Sequence, residues 1–168
     1  MLKGKLAQVM PVEAKDLPEI ESWRRQRSDK SPYLGLALTH PVLTADDLFK
    51  RTASKSFLVR SFAGELAGII VTDNEKYEDR NIAVYLDKTG TLGDDCIFEG
   101  LLLMLNQLFN EKNFFRVYTH VADYDTETEE LFVAAGFKKE ALLRQHLFCS
   151  GVYRDVFVYG LLKDESKT

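Results

Sequence analysis

His120 and Asp123 lie three positions apart at the end of an aromatic and β-branched stretch, Phe115-Arg-Val-Tyr-Thr-His-Val-Ala-Asp123. An imidazole changes charge near neutral pH and a nearby carboxylate can orient it, so the pair suits proton removal from a nucleophile. The same histidine equally fits a half-buried side chain satisfied by hydrogen bonds. No Ser-His-Asp order, Walker loop or metal-ligand cluster accompanies it. Cys96 and Cys149 lack C-x-x-C spacing and imply neither a metal site nor a disulfide framework. Cys149 sits in a turn with Ser150 and Gly151, with nothing adjacent to activate its thiol.

The elements that must position these groups belong to a single domain, 1–168, of ordinary globular composition: 45% hydrophobic and 29% charged. The net charge is −4, with 22 Lys and Arg against 26 Asp and Glu, which lacks the basic surplus of a nucleic-acid binder. Arg24, Arg25 and Arg27 sit in a helical pattern and read as a solvated face. No apolar run approaches the roughly 18–20 residues that cross a bilayer. The segment Met1-Leu-Lys-Gly-Lys-Leu6 has no apolar signal core. With two unlinked cysteines, the expected setting is cytoplasmic, away from membranes.

Hydrophobic periodicity predicts a first strand over 5–11 and a helix opening at Asp16. A loop over 28–40 leads to a second helix from Thr44. Strands follow at 56–60, 65–72 and 81–86, the first two as a hairpin. The longest helix runs from Asp94 or Asp95 to about residue 112, with Ile97, Leu101, Met104, Leu105 and Leu108 on its inner face. A buried strand over 115–121 precedes a helix with the capping-box pattern Thr126-Glu-Thr-Glu129, stopped at Gly136. Strands over 138–148 and 153–162 close the chain as a hairpin.

This order of elements resembles that of the GNAT acyltransferases. The segments Leu131-Phe-Val-Ala-Ala-Gly-Phe-Lys-Lys-Glu140 and Gly151-Val-Tyr-Arg-Asp-Val-Phe-Val-Tyr-Gly160 are similar to the family's C-terminal third, particularly in the branch that acetylates N-termini of ribosomal proteins. The resemblance implies an α/β fold with a GNAT-type mixed, splayed β-sheet and helices on both faces. It implies that acetyl-CoA lies in the gap beside strand 81–86, paired to the backbone of Ile82, Ala83, Val84 and Tyr85. The pyrophosphate then rests on the start of the long helix at Gly93. Counting back from Gly136-Phe137, the family's Asn, Ser and Tyr at the coenzyme arm fall on Asp125, Thr128 and Phe132. His120 becomes the candidate base, with Asp123 beside it. His40, Arg144 and His146 fall where the family lines its acceptor groove.

Two departures matter. Aligned through Glu99, the family's R/Q-x-x-G-x-G/A turn falls on Leu92-Gly-Asp-Asp-Cys-Ile97. Only Gly93 is kept; Leu92, Asp95 and Ile97 replace the basic residue and the later glycines. Asp94 and Asp95 are expected either to cap the helix or to weaken diphosphate binding, with Lys88 compensating. Phe132 carries no proton to give a leaving thiolate, and its other role is core packing.

The expected function is transfer of an acyl group, acetyl first, from a CoA thioester to a primary amine by direct attack in a ternary complex. The acceptor is a protein N-terminus or a small molecule; no metal is needed, and the protein is a monomer or homodimer. Two alternatives stay open: a GNAT-shaped binding or regulatory module without turnover, and a transferase taking its acyl group from a carrier-protein thioester.

Overall fold

The computed structural model describes residues 1–26, 54–73, 80–88, 92–149 and 151–166, with side chains left undescribed at 24–26 and 54. His40, the helix expected from Thr44 and the arginine side chains of 24–27 therefore lie outside the described residues.

In chain order the described elements are β1 (Leu2–Lys3), β2 (Ala7–Pro11), α1 (Leu17–Gln26), β3 (Ser54–Ser61), β4 (Leu66–Asp73), β5 (Asn81–Lys88), α2 (Asp94–Asn106), β6 (Arg116–Ala122), α3 (Thr126–Ala134), β7 (Lys138–Cys149) and β8 (Val152–Leu162). The strands form one sheet in the order β1-β2-β3-β4-β5-β6-β8-β7. Every neighbouring pair is antiparallel except β5 and β6, which are parallel.

Alternation along the strands divides the core between the two faces. Ile82, Val84 and Leu86 of β5 join Val117 and Val121 of β6 beneath Ile97, Leu101, Met104 and Leu105 of α2 and Leu131 and Phe132 of α3. Ala83 and Tyr85 point the other way, into a cluster with Ile20 and Trp23 of α1. Helices thus cover both faces, as the mixed sheet requires. Gly100 lets α2 approach closely, since a Cβ there would come within 2.6 Å of Val59 Cγ1.

The N-terminal strand expected over 5–11 is a hairpin, β1–β2. Its turn wraps a carboxylate: Glu99 of α2 accepts hydrogen bonds from the N–H groups of Lys5 (2.8 Å), Leu6 (2.7 Å) and Ala7 (2.7 Å). A Cβ on Gly4 would strike that carboxylate. The helix expected to run to residue 112 stops at Asn106 and continues as a π-helical turn, Gln107–Glu111, in which Lys112 N donates to Gln107 O. Asp16 caps backwards, accepting from Glu13 N at 2.9 Å, and with Glu19 holds Arg60 of β3.

Capping of α3 starts one residue earlier than the sequence pattern suggests: Asp125 is the N-cap and accepts from Thr128 N at 3.3 Å. The far end matches the expected glycine stop. Gly136 adopts φ +98, Gly136 N donates to Val133 O and Phe137 N to Phe132 O. This is a Schellman closure, and its apolar contact is the edge-to-face pair Phe132–Phe137, with centroids 4.9 Å apart.

Glu99 offers a direct test. Burial raises its carboxyl pKa, but the Lys5, Leu6 and Ala7 N–H groups outweigh burial and hold it below the usual glutamate value. A carboxyl depressed on folding contributes stability above its unfolded value and loses it as pH falls through its folded value. Glu99→Gln is expected to cost about 2 kcal/mol at neutral pH. In urea titrations the deficit relative to the parent should shrink as pH falls through the acid range.

Candidate active site

The parallel pairing of β5 with β6 covers Asn81–Arg116, Ile82–Val117 and Ala83–Tyr118, and then stops. Beyond that row each strand stays paired on its outer side. β5 follows β4 from Ala83 to Lys88, and β6 follows β8 from Arg116 to Ala122. The backbone of β5 past Ala83 therefore lines one side of a wedge and β6 past Tyr118 the other. Side-on backbone groups in such a gap suit an extended amide-containing ligand arm. Ile82 and Ala83 lie at the closed end, with Val84 and Tyr85 where the wedge begins.

His120 stands just inside this opening, on the face that α1 covers. Tyr85 crosses to it from β5: its hydroxyl is 3.3 Å from His120 Nδ1, and the two rings lie nearly parallel at 19° with centroids 6.1 Å apart. Tyr118 meets the imidazole edge-on at 5.8 Å. Burial pushes the His120 pKa down, and the charges of His146 and Arg116 push it the same way. The ring is therefore neutral at neutral pH, the form with a lone pair to accept a proton. The Tyr85 hydroxyl thus joins the site from 35 positions away in the chain, a contact no local sequence pattern indicates.

Asp123 does not reach His120. Its Oδ2 accepts from Asp155 N of β8 at 3.4 Å, and its own N–H donates to Asp155 O. The reason is local: β6 ends at Ala122, and Asp123 opens the turn that leads to α3, where it is bonded to the backbone of Asp155. Asp155 in turn accepts from Gln145 N through Oδ1 at 2.7 Å, pinning a break in the β7–β8 register between Leu143 and Leu147. Its carboxylate thus binds backbone. The break carries Arg144 and His146, both exposed. His146 is near enough to act on His120 electrostatically.

The open end of the wedge is bounded by two helix starts. Gly93 is the N-cap of α2, with open space around its α-carbon. Asp94 and Asp95 head the helix, and no aspartate side chain serves as the N-cap. Asp94 instead pairs with Lys88, at the end of β5, at 2.8 Å; Glu127, in the first turn of α3, pairs with the same ammonium at 3.0 Å. One cation thus ties both helix starts to the end of β5. Burial works against its charge, but the Asp94 and Glu127 contacts prevail and raise its pKa. Leu92 and Ile97, where the resemblance would place a basic residue and a glycine, pack into the main core.

Asp125 and Thr128 are bonded to each other as the α3 cap. Phe132 is fully buried against Phe137. It belongs to the core and presents nothing to a ligand in the wedge. Among the described residues no cluster of His, Cys, Asp or Glu is placed to hold a metal ion. No described helix is long and apolar enough to cross a membrane.

No protein-family model and no curated protein matches the sequence. Solved structures do match the fold. Spermidine N-acetyltransferase from Vibrio cholerae in complex with CoA and spermine superposes with a TM-score of 0.79 at 20% identity, covering 96% of this chain and 98% of that one. Spermidine/spermine N-acetyltransferase SpeG from the same organism, in complex with manganese ions, gives 0.74 at 20% identity over 95% and 94% of the two chains. A structure described as "Probable acetyltransferase" gives 0.78 at 18% identity over 96% of each chain. The shared architecture is the GNAT acetyltransferase fold.

The environment of His120 predicts its titration. In NMR pH titrations its midpoint should fall below that of histidine in an unstructured peptide, and Arg116→Gln should move it upward. A midpoint at the peptide value in the parent protein would contradict the desolvated, cation-flanked setting.

Proposed function

We propose that this chain transfers an acyl group, acetyl first, from a CoA thioester to a primary amine by direct attack within a ternary complex. The observation that carries the proposal is the end of β5–β6 pairing at Ala83 and Tyr118, which leaves strand backbone open to a pantetheine arm. A β5 backbone N–H past Ala83 that faces β6 and not β4 is suited to polarise a thioester carbonyl as negative charge grows on its oxygen. His120, neutral at neutral pH, takes the proton of the incoming ammonium so that the nitrogen lone pair can attack. In the tautomer whose Nδ1–H donates to the Tyr85 hydroxyl oxygen, Nε2 keeps the lone pair for that proton.

Carbon–nitrogen bond formation expels the thiolate. Phe132 supplies no proton to it. None is essential in concert, because a thiol ordinarily ionises with a pKa of about 8.5 and its thiolate is a competent leaving group. The CoA end of the site is assigned to Gly93 at the start of α2 and to Asp125 and Thr128 at the start of α3. His40, Arg144 and His146 remain the proposed acceptor contacts. The acceptor is proposed as an amine of either kind, a protein N-terminus or a small molecule. The structural neighbours named for spermidine share the fold, and their identity to this chain is too low to pass on a substrate.

A second reading follows from Lys88. Its ammonium already faces two carboxylates, Asp94 and Glu127, so a diphosphate must displace them to use it. A thioester on a single phosphodiester arm, as on a carrier protein, makes a smaller demand there.

Calorimetry separates these outcomes. Acetyl-CoA is expected to bind in the micromolar range, and Glu127→Gln to tighten CoA by about fivefold, the effect of removing about one kcal/mol of repulsion. Acetyl-pantetheine, which lacks the diphosphate, should bind the parent and the variant alike. Absence of binding by both donors at millimolar concentration would reject the transferase reading and leave a binding module of the same fold.

A further inference from the structure

Asp73, the last residue of β4, is 7% exposed, and its Oδ1 is buried with no hydrogen-bond partner. A carboxylate oxygen taken out of water without a donor costs free energy, and packing alone gives no reason to keep one. Strand register shows where it stands. Asp73 pairs with Ala83, and Ala83 with Tyr118, making one row across β4, β5 and β6. That row is the last before β5 and β6 part. Two rows on, Val71 pairs with Tyr85, whose hydroxyl reaches His120.

Val71, Ala83 and Tyr85 pack on the α1 side, with Tyr118 against them. Asp73 lies two residues from Val71 on the same strand, so it shares that face. Ala83, between Asp73 and Tyr118, contributes only a methyl group. The carboxylate with the unpartnered Oδ1 therefore shares the face of the base, two residues further along the strands, on the paired side of the wedge.

We infer that Asp73 binds a second positive charge on the acceptor, so that the substrates fitting this face are amines carrying another cationic group. Two strand spacings and two residue rises separate Asp73 from His120, on the order of 10 Å. One amine then meets His120 while the distal ammonium pairs with Asp73. The cation supplies what the free protein lacks at Oδ1, and charge pairing in a desolvated site discriminates strongly against an acceptor without it. This assignment rests on the reading of His120 as the base.

The test is calorimetry with 1,8-diaminooctane and n-octylamine, which share a carbon chain and differ in the second amine, together with melting curves. The diamine should bind the parent about tenfold or more tightly than the monoamine and raise its Tm. Asp73→Asn should abolish that preference while leaving the ligand-free Tm unchanged or higher. Equal binding of the two amines by the parent, or a preference that survives Asp73→Asn, overturns the inference. A lower ligand-free Tm in the variant also overturns it, because it marks a structural carboxylate. Failure here with acetyl-CoA still bound leaves the transferase reading standing; a diamine preference without donor binding rejects that reading and keeps the cation site.

Discussion

The structure depends on where hydrogen bonding between β5 and β6 ends. Strands in a sheet pair along their length unless something else holds them apart, because open backbone groups away from water are costly. Here each strand is fixed on its outer side, β5 by β4 to Lys88 and β6 by β8 to Ala122. The two-sided core locks these pairings in place, with α2 and α3 on one face and α1 on the other. The open backbone is thus imposed by its neighbours, and it gives the sheet a place for an extended arm. His120, Tyr85 and Lys88 all stand at or near that opening.

Charge is arranged differently at the two ends of the wedge. At the mouth, one lysine and two carboxylates tie the starts of α2 and α3 to the end of β5. Glutamates and aspartates near helix N-termini are favourable in themselves, so the arrangement is stable without a ligand. Toward the closed end, burial and positive neighbours keep His120 uncharged. The N-terminal hairpin has its own anchor: Glu99 joins α2 to the turn before β2, holding the edge of the sheet against the helix that begins at the mouth.

Local signals were legible in the sequence and distant ones were not. Gly136-Phe137 announced its structure because a Schellman closure spans only a few residues. The long apolar face of α2 and the strand runs at 56–60, 65–72 and 81–86 were equally readable, since periodicity is local. The hairpin at β1–β2 was missed because its cause, Glu99, lies some ninety residues further on. Tyr85 and His120 are 35 positions apart, and nothing in either neighbourhood indicates their contact. The coupling of His120 to Asp123 failed because β6 ends at Ala122 and the Asp123 carboxylate is taken by the Asp155 backbone, 32 positions further on. The register break at Arg144–His146 was hidden in a stretch that alternates like a plain strand, because it is set by Asp155 from across the hairpin.

The most direct measurement is hydrogen–deuterium exchange of the β5 amides, with and without acetyl-CoA. If the wedge holds the thioester arm, the ligand should slow exchange at the amides of Val84–Lys88 that face β6, while amides of β3 paired to β2 and β4 stay unchanged. Saturating acetyl-CoA that leaves those β5 amides exchanging as in the free protein would contradict the account.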